Sequence, residues 1–160
     1  MRSSLVFLAI AQFVVSFQAL GQVLSDSDFA VGKVSINDWV DSTSLSAILG
    51  NPVRVTRFTD DHQYATPVTF ITFDFDSVTI CIGENGIQSI ETISTSMLTR
   101  RGVRVGDTVE KVKALYGLPT NPSWSDCDGL CYFLHNSALG IDFETTDGRV
   151  VKIFVGYWAL

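Results

Sequence analysis

Few residues in this chain are of a type and spacing that could do chemistry. Nucleophilic catalysis needs a Ser or Cys beside a base that a third group orients. The chain offers two histidines, His62 and His135, and three cysteines, Cys81, Cys127 and Cys131. His135 ends the run Tyr132-Phe133-Leu134-His135 before a turn, where simple exposure accounts for it, and no Gly-X-Ser-X-Gly elbow occurs. Asp60-Asp61-His62 brings oxygen and nitrogen donors together. Neighbours in one loop rarely converge on one ion, however, and no second cluster has ligand spacing, so a solvated acidic turn is expected. Asp74 and Asp76 flank Phe75 on one strand face. Paired carboxylates are the equipment of a glycoside hydrolase. No neighbouring feature raises either pKa, and the wet side of a strand that buries Ile71, Phe73 and Phe75 explains the pair. Gly83-Glu84-Asn85-Gly86 lacks a phosphate-loop Lys and a strand-to-helix context, and reads as a turn. Arg100, Arg101 and Arg104, with Arg54 and Arg57, form the main basic concentration, which a link before a capped helix explains. The sequence therefore predicts no catalytic constellation, no cofactor and no metal site.

Aromatic residues carry the stronger signal. Trp39, Trp124 and Trp158 lie near turns or the C-terminus, and Phe154 falls on the strand face opposite the expected core. Trp and Tyr concentrate at the anchors of protein interfaces. Trp124, Tyr132, Phe154 and Trp158 are the candidate binding residues, with Asp142, Glu144 and Lys152 as a polar rim.

The compartment follows from the first residues. Arg2 precedes an apolar run from Leu5 to Val15, and Ala19-Leu20-Gly21 supplies small residues before Gln22. This pattern predicts a signal peptide over 1–21, too short for a comfortable membrane span. A soluble domain over 22–160, secreted or periplasmic and without membrane insertion after cleavage, is then expected. In an oxidising compartment Cys127 and Cys131, flanking Asp128-Gly129, read as a disulfide clamping a short loop. Cys81, in Val78-Thr79-Ile80-Cys81-Ile82, reads as a small buried core residue. With 17 acidic against 11 basic residues, no basic patch can dominate, which argues against a nucleic-acid partner.

Elements must position these residues, and their punctuation is clear. Asp107-Thr108-Val109-Glu110 has capping-box spacing with Asp107 as the cap. Val109, Val112, Leu115 and Tyr116 repeat at helical spacing, and Gly117 and Pro119 stop the helix. Asp41 or Ser42 opens a shorter helix that ends at Leu49 before Gly50 and Pro52. Strands are expected at 53–58, 67–75, 78–82, 87–93, 131–135, 139–144 and 150–157, with Val151, Ile153, Val155 and Tyr157 facing the core. Glu84-Asn85-Gly86 and Asp147-Gly148 read as hairpin turns. Overlaying the chain on itself at a spacing of about 67 residues aligns Leu45 with Val112, Ala47 with Ala114 and the two Gly-X-Pro endings. The expected fold is α+β: two tandem repeats, about 31–94 and 99–157, each a helix plus an antiparallel meander. Together they form one sheet with short helices on one face.

The segment from Thr99 to Val112, closed by Leu115-Tyr116-Gly117-Leu118-Pro119, resembles the Gly-[Met/Asp]-Thr/Ser-X-X-X-Val-X-X-X-X-Gly helix of the beta-lactamase inhibitory protein family. It is also similar to the opening element of small outer-membrane barrel-assembly lipoproteins. The resemblance implies a secreted or periplasmic protein-binding module, a tandem repeat with a short loop disulfide; the aromatic surplus then puts the binding on the open sheet face and adjoining loops. It implies neither β-lactamase as the target nor a lipid anchor, because Gln22 stands where the lipoproteins need Cys. The function expected is that of an inhibitor or adaptor. A cell-envelope assembly or structural factor is the alternative.

Overall fold

The computed structural model describes residues 23–60, 67–120, 129–135 and 137–158. The signal peptide expected over 1–21, Asp61 and His62 of the acidic turn, Trp124 and Cys127 lie outside the described residues. The chain is α+β. A small hairpin of β1 (Ala30–Val31) and β2 (Val34–Ser35) precedes α1 (Ser42–Leu49). Then come β3 (Arg54–Asp60), β4 (Val68–Asp74), β5 (Val78–Gly83) and β6 (Gly86–Thr92). After α2 (Val109–Tyr116) follow β7 (Leu130–Phe133), β8 (Leu139–Thr146) and β9 (Arg149–Tyr157). The seven long strands form one antiparallel sheet in the order β3-β4-β5-β6-β9-β8-β7. The last strands of the two meanders, β6 and β9, therefore meet in the middle.

Local chemistry sets the helix ends. The Asp41 carboxylate accepts the Ser44 N–H at 2.7 Å, one of the orphan donors of α1. In α2 the cap is Thr108, whose hydroxyl accepts the Lys111 N–H at 3.3 Å, and not Asp107 as the spacing suggested. Asp107 is committed elsewhere. Its carbonyl accepts the Val150 N–H at 2.9 Å, and its carboxylate turns back to the Arg104 N–H and to Lys111 Nζ. The helix consequently starts one residue later. Between β8 and β9, Asp147 and Gly148 both have positive φ, 51° and 73°, the two-residue turn whose twist matches paired strands.

One face of the sheet is the core. The register sets Phe73, Ile80, Ile90, Val155, Ile141 and Tyr132 side by side across six strands, all of them buried. Leu45 of α1, Val112 and Tyr116 of α2, and Phe29, Val31 and Val34 of the N-terminal segment join the same cluster. A bulge between Glu144 and Thr145 inserts one residue into β9. It turns Val150 into the core and leaves Val151 half-buried, the reverse of strict alternation, because one extra residue flips strand parity. Tyr157 is likewise partly exposed, with Asn37 Nδ2 donating to its hydroxyl at 3.0 Å.

Arg101 fastens the N-terminal segment to α2. Its Nε and Nη2 donate to the two oxygens of Asp28 at 2.7 and 2.8 Å, and Nη1 donates to the Leu115 carbonyl at the end of α2. Its guanidinium lies 4.9 Å from the centre of the Tyr116 ring. That arginine, counted in the basic concentration, is thus an internal tie. Arg54 is similarly bound to Asp74 at 2.7 Å.

Candidate functional site

Residues that alternate with the core row make the second face of the sheet, and no second layer packs on that face among the described residues. Phe133, Gly140, Gly156, Ser89, Cys81, Thr72 and Thr56 run across it in register. The next row holds Cys131, Asp142, Phe154, Glu91, Thr79, Asp74 and Arg54. Small residues in the first of these rows leave a shallow floor, and aromatic rings close over one end of it. The Trp158 ring meets Phe133 at 5.7 Å and Phe154 edge-on at 5.3 Å, an arrangement that ring quadrupoles favour. Gly140 lies beneath. A Cβ there would come 2.7 Å from the Phe133 ring and 3.1 Å from Trp158 Nε1, so only glycine admits this packing. Trp158 Nε1 is buried and has no hydrogen-bond partner among the described residues. At the opposite end, Phe58 and Phe70 stack at 5.1 Å.

The charged border is built by β8, β9 and β6. Lys152 Nζ lies 2.7 Å from Glu144 and 3.8 Å from Glu91. The hydrogen bond to Glu144 is the main cause of its raised pKa, so it stays a cation. Asp142 faces Phe154 across the β8–β9 pair. Asp74 accepts from Arg54 and from the Thr79 hydroxyl, and both, Arg54 first, hold its carboxyl below the usual range. It is therefore a fixed carboxylate, the opposite of what a general acid requires. Asp76 lies beyond β4, exposed in the hairpin.

Of the candidate binding residues, the second face gathers Phe154, Trp158, Lys152 and Asp142. Tyr132 belongs to the other face. It is buried under α2, packs against Tyr116 at 5.3 Å and donates its hydroxyl to the Gly117 carbonyl at 3.1 Å. Its pairing with Ile141 turns it into the core, and it cannot anchor a partner on the second face. Trp124 and Cys127 lie outside the described residues, and Cys131 is buried on β7 opposite Asp142. Cys81 is half-buried on the second face rather than in the core, and burial pushes its thiol pKa up. Phe133, Gly140 and Gly156 were not singled out in the sequence. The register that makes them neighbours joins β7, β8 and β9, and the one local signal was that Phe133 alternates with Tyr132.

Comparison with protein-family models and with curated proteins returns no match to this chain. Among solved structures the chain is similar to the uncharacterized protein yfeY from Escherichia coli. There the identity is 14%, the TM-score 0.45, and the match covers 81% of this chain and 97% of that one. It is also similar to an extracellular protein containing a SCP domain from Bacillus anthracis str. Ames. In that case the identity is 13%, the TM-score 0.42, and the match covers 78% of this chain and 47% of that one.

Proposed function

We propose that the chain is a secreted or periplasmic protein-binding module, an inhibitor or adaptor whose partner seats on the second face of the sheet. The observation that carries this reading is the interlocked Phe133–Trp158–Phe154 group over Gly140, bordered by Asp142, Glu144 and Lys152. An aromatic centre inside a charged rim is the anatomy of an interface. Secretion rests on the charge and apolar pattern of residues 1–21. As part of the same reading, Cys127 and Cys131 form a disulfide that clamps the loop before β7. The two helix-plus-meander halves are one unit duplicated, with α2 following α1 at the spacing of about 67 residues used in the sequence overlay. Segment 99–119 keeps its resemblance to the inhibitory-protein helix. The second reading, a cell-envelope assembly factor, uses the same face for several partners.

The test is co-purification with tagged 22–160 from the producer's extracellular and envelope fractions. One stoichiometric soluble protein should be retained by the wild type and by Trp39→Ala, an exposed residue outside the face. It should be lost from Phe154→Ala/Trp158→Ala, each truncation costing about 2 kcal/mol of affinity. Retention by the folded double variant refutes the second-face reading, and a set of membrane-fractionating proteins favours the assembly factor.

A further inference from the structure

We infer that the outer edge of β3 is a separate binding site, which accepts an extended segment of another polypeptide as an added antiparallel strand. This goes beyond the second-face reading and does not depend on it. β3 ends the sheet, and six of its seven residues are exposed on both faces. The outward backbone groups of residues 54–59 meet no partner among the described residues. The other edge is treated differently. Thr120 donates its N–H to the Cys131 carbonyl at 2.8 Å and its hydroxyl accepts the Phe133 N–H at 3.1 Å, which closes β7. An open edge beside side-chain pockets is how many domains capture extended peptides, with main-chain bonds for affinity and alternate side chains for specificity.

Charge and shape define the segment. On the helix side of β3, Val53, Val55 and Arg57 alternate, and α1 stops short of them. Val53 is 68% and Val55 54% exposed. Arg57 is exposed and makes no ion pair among the described residues. Beside Val53 opens a cleft of about 390 Å³ between the end of α1 and the β4–β5 turn, with Ile48, Leu49 and Phe75 in its lining and, at its side, the carboxylate of Asp76, which makes no ion pair among the described residues. In an added antiparallel strand, successive residues on one face lie opposite Arg57, then Val55, then Val53. The complementary segment reads acid–X–apolar–X–Lys. Its acid faces Arg57, and its lysine stem lies on the apolar lining with the ammonium at Asp76. A second copy of the chain fits poorly. The antiparallel register that sets Arg54 against Asp60 sets Arg57 against Arg57, and like charges directly opposite destabilise a pair.

The probe is a fluorescein-labelled peptide, Thr-Thr-Glu-Thr-Val-Thr-Lys-Thr, titrated with the chain and followed by fluorescence anisotropy. Saturable binding is expected, unchanged in Trp39→Ala and weakened about tenfold in Arg57→Glu. A peptide with Lys in place of Glu should regain affinity for Arg57→Glu, and methylation of alternate backbone amides should abolish binding. The inference is overturned by no saturable binding to the wild type, by equal affinity for Arg57→Glu, or by a sedimentation dimer that Val55→Pro dissociates. The last result would give the edge to a second copy.

Discussion

At the β7 end of the sheet, α2 lays Val112 and Tyr116 against Tyr132 and Phe143, and three aromatic rings meet within 5.1–6.0 Å. At the β3 end, α1 has the same eight residues in length, fully buries Leu45 alone, and leaves Val53 and Val55 more than half in water. Helix length is therefore not what closes an end. A helix with its side chains is about 10 Å wide and strands are about 4.8 Å apart, so one helix covers roughly two strands. α2 has three strands to cover and presents a tyrosine. α1 has four and buries only Leu45 against them, with Phe29, Val31 and Val34 of the N-terminal segment filling the middle. The outermost strand is left bare, and that bareness creates the β3 edge and the cleft beside it.

The contrast breaks most directly at its two extremes. Tyr116→Ala removes a buried ring from the aromatic cluster and should cost about 4 kcal/mol in urea unfolding. Val55→Ala should stay within about 0.5 kcal/mol. Equal losses would mean that β3 is as well packed as β7. Base should act at the same end. Burial first, then the neighbouring Tyr116, push the Tyr132 pKa up to about 12 from the ordinary 10.0. Stability is fully present below the ordinary value and is lost as pH rises through 10 towards 12. Tyrosinate absorbance should therefore appear together with loss of tertiary circular dichroism.

Next in size is the tie between the N-terminal segment and α2. Arg101→Ala leaves Asp28 a buried, unpaired carboxylate and should cost about 3 kcal/mol, measured by thermal unfolding at neutral pH. Hydrogen bonding from Arg101, ahead of bonds from Ser25, holds the Asp28 pKa below its ordinary 3.8. A lowered folded value contributes stability that is present above 3.8 and is lost as pH falls through the folded pKa. That acid limb should flatten in Arg101→Ala, and an unchanged limb would assign it to other carboxylates. Apart from Val55→Ala, the smallest effect is expected at Thr120. Thr120→Val removes the hydroxyl that closes β7 and should cost about 1 kcal/mol, with faster hydrogen exchange at the Phe133 amide. Unchanged exchange there would remove the distinction between a closed and an open edge.

Much of the frame was legible in the residues. Asp41 and Gly50 bracket α1, Gly117 ends α2, and Asp147-Gly148 turns β8 into β9. Every expected strand of the large sheet is present within a few residues of its reading. The β1–β2 hairpin was not legible, because two-residue strands carry no period. The side taken by Tyr132 was not legible either. Cys131, Tyr132 and Phe133 are all apolar, and a four-residue strand with apolar residues on both faces has two equivalent parities. Val150 and Val151 exchanged roles at a bulge that their own sequence does not mark.

Caps, turn glycines and the alternation of strands act over a few adjacent residues, so composition and spacing settle them before any long-range contact forms. The tertiary structure decided what depends on distant pairing. Ile141 opposite Tyr132 assigned the faces, and Asp28 claimed Arg101 across 73 residues. Gly140 admitted Phe133 and Trp158 above it because three strands brought them to one place. Register and packing volume are properties of the assembled sheet. They alone separated the end that is closed from the end left open.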